Sequence, residues 1–340
     1  MKQPIIKQNV GVDVSKDDIK VALSNLTTDY RVVVRSTRTF ANTAQGFKQL
    51  DEWLNSKIAT ELAVHFTMEA TGVYYEGLAF FLYQQNYSLH VVLPNYAKKY
   101  SESLGLKSKT DKLDARALAR MGLERDLRLW QPVSPELLGL KQLTREREAL
   151  VCTRTTAANQ LHAYRHQGKP NKESIKRSQH HISFIDEQIK QIEKEIVHFI
   201  NHDEKLKTKI GYLDSIPGVG LVTAAVIVAE TNGFAAFDSI KQLTSYAGLD
   251  VRIQESGKWK GKSRISKRGN NHIRKALYMP SISKKTHDAT TKQFYERIKE
   301  KKGIGMIALV AVERKLLGLM FSLWKNEEMY NATIWEKDIR

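Results

Sequence analysis

The sequence predicts an N-terminal α/β domain, a central helical hairpin of the coiled-coil type and a mainly helical C-terminal domain. Short apolar runs with strand-type alternation and amphipathic helical stretches follow one another over the first 95 residues. Two long runs with apolar residues at heptad spacing come next, separated by a polar loop. Helical periodicity then resumes, interrupted by one segment rich in glycine and basic residues. These changes place the domains at residues 8–130, 135–205 and 208–328.

Composition indicates the class of partner. Lys and Arg number 54 against 37 Asp and Glu, a net charge of +17, which favours a polyanion: nucleic acid first, an anionic membrane second. The single cysteine, Cys152, excludes an intrachain disulfide, and we expect it to be buried or half-buried. The sequence starts without the apolar core of a signal peptide, and the apolar stretch 303–324 contains charged residues. We therefore expect a cytoplasmic, nucleoid-associated protein with no membrane partner.

The N-terminal domain begins with a predicted three-stranded meander, followed by a helix and a strand–helix–strand unit. Three valines alternate with Gly11 and Asp13 over residues 10–14, so Asp13 faces the side of the sheet opposite the valines. A later apolar strand over residues 62–69 ends in Glu69. Helices that cover a mixed sheet suit this order, and functional side chains gather at the carboxyl edge of such sheets.

A pair of carboxylates opens a later predicted helix. Thr110 caps it, and Asp111 and Asp114 are three residues apart and so share one face. Taken alone, this is most simply a capped, solvated surface helix. If Asp13 and Glu69 lie at the same place, four carboxylates converge, which is unfavourable without a cation. Oxygen ligands of this kind select Mg²⁺ or Mn²⁺, and paired ions catalyse phosphodiester displacement.

Three short motifs together resemble a known family. They are the Gly-Val-Asp-Val-Ser-Lys run at residues 11–16, the Met-Glu-Ala-Thr-Gly strand end at 68–72 and the Lys-Thr-Asp-x-x-Asp-Ala helix start at 109–115. In this order they resemble the ribonuclease-H/RuvC-like domain of DEDD transposases, specifically the IS110 insertion-sequence family and the related pilin-gene invertases. The resemblance implies that Asp13, Glu69, Asp111 and Asp114 hold the metal.

The central region predicts two helices joined by a polar loop at residues 166–171. Apolar residues recur at a and d positions of both helices; in the second they are Ile182, Ile185, Ile189, Ile192, Ile196 and Phe199. Two interpretations stay open: a hairpin packed within one chain, and a coiled coil that bridges subunits. The narrow stripe favours the second, and with it a dimer or tetramer.

Residues 213–226 resemble a helix-hairpin-helix. Gly218 and Gly220 would let the backbone approach a phosphate closely, without reading the base sequence. The alternative is a tight turn between packed helices.

A strongly basic segment follows, with glycines and a tryptophan interleaved, which is typical of a nucleic-acid surface. Its candidate contacts are Arg252, Lys258, Trp259, Lys260, Lys262, Arg264, Lys267 and Arg268, with Trp259 as a possible stacking platform. In the earlier helix, Lys109 and Arg116 are either phosphate or RNA contacts or plain surface charges.

Three serines of the basic segment, Ser256, Ser263 and Ser266, cannot be separated by residue chemistry alone. The resemblance selects Ser256, because the family carries a Ser-Gly nucleophile after a helix-hairpin-helix and before an Arg-x-Ala-Leu-Tyr-Met helix. Here that helix begins at Arg274, with Lys275 as a small departure in spacing.

The resemblance implies a transposase or site-specific recombinase that cuts and rejoins donor and target DNA. It would use Mg²⁺ or Mn²⁺ and a covalent phosphoserine intermediate, and a bridge non-coding RNA would pair with both DNAs. One alternative is a RuvC-like metal-dependent junction endonuclease without a covalent intermediate. A second alternative is a sugar-kinase or actin-like ATPase, but the sequence has no second glycine-rich phosphate loop where such an enzyme needs one. A third is a non-catalytic architectural DNA binder, which would need no metal.

Overall fold

The structure, a computed structural model, describes residues 3–58, 62–105, 110–252, 255–256, 259–260, 264–333 and 335. It divides into two compact units, residues 1–132 and 133–340. In the described segments, no helix is both long enough and apolar enough to cross a membrane.

The N-terminal unit contains a five-stranded mixed sheet. Its strands are β1 (Ile5–Val14), β2 (Asp18–Thr27), β3 (Val32–Ala41), β4 (Val64–Glu69) and β5 (Ser88–Val92), in the order β3-β2-β1-β4-β5. The first three form an antiparallel meander, and β4 and β5 run parallel to β1 and β4 respectively. Its helices are α1 (Ala44–Asn55), α2 (Glu76–Gln84), α3 (Pro94–Ser103) and α4 (Asp111–Glu124). The predicted α/β domain is confirmed.

The two faces of the sheet bury different partners. The valines of β1 are buried in a core with apolar side chains of α1 and α2, such as Leu50 and Leu78. Helix α4 packs very closely against the opposite face. A Cβ on Gly11 would lie 2.0 Å from the Ala115 carbonyl oxygen. Only glycine allows this approach, since any side chain would push the helix away.

The direction of α4 follows from where its small residues meet β1. Ala115 and Ala119 lie against Gly11, whereas Gly122 lies against the Asn9 side chain, whose Nδ2 donates to the Ala119 carbonyl oxygen at 2.8 Å. The helix therefore runs from position 13 of β1 back towards position 9. Its N-terminus is capped as predicted, with the Thr110 hydroxyl accepting from the Leu113 amide.

The second unit is mostly helical. Its helices are α5 (Pro135–Arg165), α6 (Lys172–His202), α7 (Glu204–Asp214), α8 (Leu221–Glu230), α9 (Ile240–Tyr246), α10 (Asn271–His287), α11 (Ala289–Lys302) and α12 (Gly305–Asn326). Four two-residue strands lie between α9 and α10: β6 (Val251–Arg252), β7 (Glu255–Ser256), β8 (Trp259–Lys260) and β9 (Arg264–Ile265). β6 pairs with β9 and β7 with β8, both antiparallel.

Helices α5 and α6 form the predicted hairpin, and they pack against each other within one chain. Arg154 of α5 binds Asp186 of α6, with Nε and Oδ1 2.8 Å apart. Leu140 and Ile196, near the open end, join the core built from the later helices. The apolar stripe is thus covered at least partly in cis, and subunit contact through the hairpin stays a prediction. Cys152 on α5 is exposed, so the expectation that it is buried or half-buried is wrong.

Candidate active site

The predicted carboxylates come from three elements at one edge of the N-terminal sheet. β1 and β4 run parallel with Val12 beside Met68, so Asp13 and Glu69 follow at the same edge. Both lie on the α4 face, because Gly11 and Thr67, two positions earlier on their strands, lie against that helix. The first turn of α4 contributes Asp111 and Asp114.

The four carboxyl groups interact electrostatically. Burial, followed by the negative charges of Asp111, Asp114 and Glu69, raises the pKa of Asp13 to about 6. Across the described residues, no three acidic, histidine or cysteine side chains are arranged closely enough to form a metal-binding group. The four carboxylates therefore lie at one edge of the sheet, but they are not close enough to one another to form a complete metal-binding site. They are the side chains with the right oxygen chemistry to hold Mg²⁺ or Mn²⁺.

Lys20 belongs to this cluster, and the sequence analysis missed it. It lies opposite Asp13 in the β1–β2 register, and its Nζ donates a hydrogen bond to the Asp111 carboxylate. This hydrogen bond raises the pKa of Lys20. The alternation of buried and exposed residues along β2 could have indicated this position, because Ile19 and Val21 belong to the core and Lys20 therefore lies on the same face as Asp13.

The candidate nucleophile lies in the second unit, on a small hairpin. Ser256 is exposed on β7 and pairs with Trp259 on β8. Arg252 and Arg264, both exposed, are direct cross-strand partners in the β6–β9 pair. The predicted contacts Lys109, Lys258 and Lys262 lie outside the described residues, as do the side chains of Trp259 and Lys260.

Other predicted nucleic-acid contacts differ in how much space surrounds them. Gly218 has φ +89°, and a Cβ there would lie 2.9 Å from the Ser283 hydroxyl oxygen, so packing alone accounts for this glycine. Gly220 is the N-cap of α8 and has open space where a Cβ would stand. Arg116 is exposed on α4, and Lys267 and Arg268 are exposed after β9.

The base of the serine-bearing hairpin is held by backbone and side-chain bonds. The Ser266 hydroxyl donates to the Asp250 carboxylate at 2.5 Å, and the Lys267 amide donates to the Gly248 carbonyl at 3.0 Å. Arg274 of α10 reaches back with Nη1 to the Ala247 carbonyl oxygen at 2.8 Å. The two segments that lead into and out of the hairpin are thereby tied together.

A buried acid connects this base to α5. Glu230 is 2% exposed and accepts from Arg145 at 2.7 and 3.0 Å and from Asn270 at 2.7 Å. Burial alone would raise the pKa of Glu230, but these donors hold it below its usual value. A second link joins Glu148 of α5 to His272 and Lys275 of α10. The sequence carries no local signal for either link, because the partners are 85 and 124 or more positions apart.

Comparisons with known proteins agree on one family. The DEDD transposase model of IS110 matches residues 10–167, and the transposase model of the IS116/IS110/IS902 family matches residues 211–296. The pilin gene-inverting protein of Moraxella bovis is 29% identical, over 97% of this chain and 99% of that protein. The transposase for insertion sequence element IS1328 of Yersinia enterocolitica is 24% identical, over 57% of this chain and 63% of that protein.

Among solved structures, Thermus thermophilus RuvC in complex with a Holliday junction substrate is 12% identical, with a TM-score of 0.27, over 37% of this chain and all of that one. This similarity is too weak to support an argument. The two family models together match most of the chain, and the pilin gene-inverting relative aligns along nearly all of it. The chain belongs to the IS110 family of transposases, enzymes that act on DNA.

Proposed function

We propose that this transposase cuts and rejoins DNA with a divalent metal ion, Mg²⁺ or Mn²⁺, held by Asp13, Glu69, Asp111 and Asp114, and with Ser256 as nucleophile. The metal part rests on the convergence of Asp13, Glu69 and the first turn of α4 at one edge of the sheet, where burial and the neighbouring carboxylates raise the pKa of Asp13 to about 6. Four acids held close together are suited to bind a cation, because the cation removes their mutual repulsion. When bound, the metal would neutralise charge on a scissile phosphate.

The proposed chemistry is a transesterification. The Ser256 Oγ forms a bond to phosphorus while the bond from phosphorus to one deoxyribose oxygen breaks. The Oγ proton leaves to a base, and the departing oxygen takes up a proton as it becomes a free hydroxyl. Rejoining is the reverse step with a hydroxyl from another strand, which attacks the phosphoserine and restores the serine.

Exposure and existing bonds favour Ser256 over Ser266. The Ser266 hydroxyl is bound to the Asp250 carboxylate and also accepts from the Arg268 amide at 3.3 Å. Its bonds hold the base of the hairpin, so an attack by this oxygen would break that anchor. Ser256 lies in the separate β7–β8 pair and is exposed. Ser263 lies outside the described residues.

Two arginines on either side of Ser256 in the sequence support phosphate binding. Arg252 and Arg264 are directly opposite in an antiparallel pair, where like charges destabilise the pairing. A phosphate between them removes the repulsion and accepts hydrogen bonds from both guanidinium groups. This arrangement supports the basic hairpin as a surface for the DNA backbone. The remaining basic candidates, Lys267 and Arg268, flank it in sequence.

The source of target specificity and the number of subunits are further parts of the proposal. The resemblance to the family implies a bridge RNA that pairs with donor and target DNA. The pilin gene-inverting relative is named for a recombination event at defined DNA, which suits a site-specific reaction. We also infer an oligomer, a dimer or tetramer, because joining two DNA sites requires more than one nucleophile.

Covalent trapping tests the mechanism. The full chain is incubated with Mg²⁺, its bridge RNA and labelled DNA carrying both junctions, and protein–DNA adducts are separated under denaturing conditions. We expect an adduct with the wild type, none with Ser256→Ala, and none with Asp13→Asn. Ser266→Ala tests the rival serine and should still form the adduct, at a reduced level because the bond from Ser266 to Asp250 is lost. Full strand cleavage by Ser256→Ala would replace this mechanism with the junction-endonuclease alternative.

A further inference from the structure

A cleft lies beside the carboxylate cluster, between the β2–β3 pair and the first turns of α4. Its volume is about 240 Å³. The lining residues are Lys20, Val21, Thr37, Arg38, Thr39, Lys112 and Ala115. The lining contains basic side chains and hydroxyl groups but no carboxylate, although Asp111 lies next to it through its bond to Lys20.

Strand register decides which side chains face this cleft. Lys20 is paired with Thr39 and Ala22 with Thr37, so both threonines lie on the face that α4 covers. Lys112, in the first turn of α4, approaches from the helix side. Two lysines from different elements and two threonine hydroxyls therefore surround the same space.

Arg38 is one of the lining residues, but its guanidinium group is directed to the other face of the sheet. Val21, its partner on β2, belongs to the core on the opposite face, and the Arg38 guanidinium lies over the Phe40 ring at 5.2 Å. Its charge is on the same strand as the two threonines, yet it is directed to the other side of the sheet. Because Arg38 still belongs to the lining, the control for the charge of Lys112 is Lys48, which is exposed on α1 at the other face of the sheet.

We propose that this cleft binds a backbone phosphate of the DNA strand whose scissile phosphate lies at the carboxylate cluster. Lysine ammonium groups and threonine hydroxyls are typical phosphate ligands, and they act on any base sequence. Lys20 marks the border, since it lines the cleft and also binds Asp111. A phosphate held here would fix the register of the strand. The position of the scissile phosphate rests on the proposed function, whereas binding in the cleft does not.

The test measures DNA binding without metal, so it does not depend on the carboxylates or on Ser256. The full chain is titrated with a labelled DNA oligonucleotide of mixed sequence in EDTA, at several salt concentrations, and anisotropy gives the affinity. We expect Lys112→Gln to weaken binding about three- to tenfold and to reduce the salt slope by about 0.7–0.9, the loss of one phosphate contact. Lys48→Gln, which removes an exposed charge outside the cleft, should leave the slope unchanged.

A neutral variant separates the cleft from general surface charge. The double variant Thr37→Val, Thr39→Val keeps the net charge and the side-chain shape, and we expect it to weaken DNA binding by about two- to fivefold. Chemical acetylation adds a readout at the residue itself: bound DNA should protect Lys112 but not Lys48, which is exposed on α1.

Three results would overturn the inference. An equal loss of slope in Lys48→Gln would mean that the whole surface acts as one charge. Unchanged binding and acetylation of Lys112 would mean that no phosphate enters the cleft. A loss that appears with an RNA oligonucleotide but not with DNA would assign the cleft to RNA. If the covalent adduct fails to form but these binding results hold, the mechanism is wrong and the cleft stands.

Discussion

Metal binding at the carboxylate cluster should depend steeply on pH because of Asp13. With its pKa raised to about 6, Asp13 is ionised in about one-tenth of the molecules at about pH 5 and in about nine-tenths at about pH 7. A divalent cation binds the ionised form. The affinity for Mg²⁺ or Mn²⁺ should therefore rise about tenfold between these two pH values. An aspartate with its ordinary pKa near 3.8 would give almost no change over that range.

The assay is isothermal titration of the full chain with MnCl₂ at both pH values, in the absence of DNA. Asp13→Asn should bind metal weakly and lose the pH dependence. Melting in EDTA supplies an independent sign. Asp13 holds its proton more tightly when folded, so the free energy of unfolding should fall as pH rises from about 4 to about 6. Equal metal affinity at both pH values, or an Asp13→Asn variant that binds metal as the wild type does, would refute the reasoning.

Four further variants test the packing and the buried charges. Burial raises the pKa of Glu313 to about 7, so its ionisation above that pH lowers the stability of the fold. Glu313→Gln should therefore raise the free energy of unfolding by about 1–3 kcal/mol at about pH 8 and not at about pH 4. Urea titration at both pH values measures this difference. Glu230→Gln should lower the free energy of unfolding by about 1–3 kcal/mol because the buried carboxylate loses its charge-assisted hydrogen bonds from Arg145 and Asn270. Arg154→Gln breaks an exposed pair and should leave the free energy of unfolding unchanged within the error of the urea titration. Gly11→Ala should displace α4, lowering the melting temperature and abolishing the stabilisation by Mn²⁺.

Local patterns were sufficient for much of the N-terminal unit. Alternation in β1 placed Asp13 opposite the valines, and the Thr110 cap fixed where α4 begins, because both depend on residues close in sequence. The approach of α4 to the sheet could not be derived, since it depends on Gly11 meeting Ala115, more than 100 positions away. Without that contact the four acids could not be placed together from sequence except through the resemblance.

The sequence analysis missed charges whose partners are distant. Lys20 reads as an ordinary polar residue of a strand until the β1–β2 register sets it opposite Asp13. In the sequence, Glu230 is only the last residue of an apolar helix. Its ion pair with Arg145 is evident only in the structure. The heptad stripe predicted two packed helices, and contact with a second subunit through them stays a prediction, because a stripe shows how much apolar surface must be covered and not which chain covers it.

The bond from Lys20 to Asp111 has a consequence for how the protein is made. A nascent chain that supplies its own positive charge to an acidic site can complete its fold before any metal ion arrives. Its yield and solubility in cells should then be insensitive to the free concentration of divalent ions. If the carboxylates bind a metal ion as proposed, loading would follow folding, and a folded transposase without metal would persist without cutting DNA.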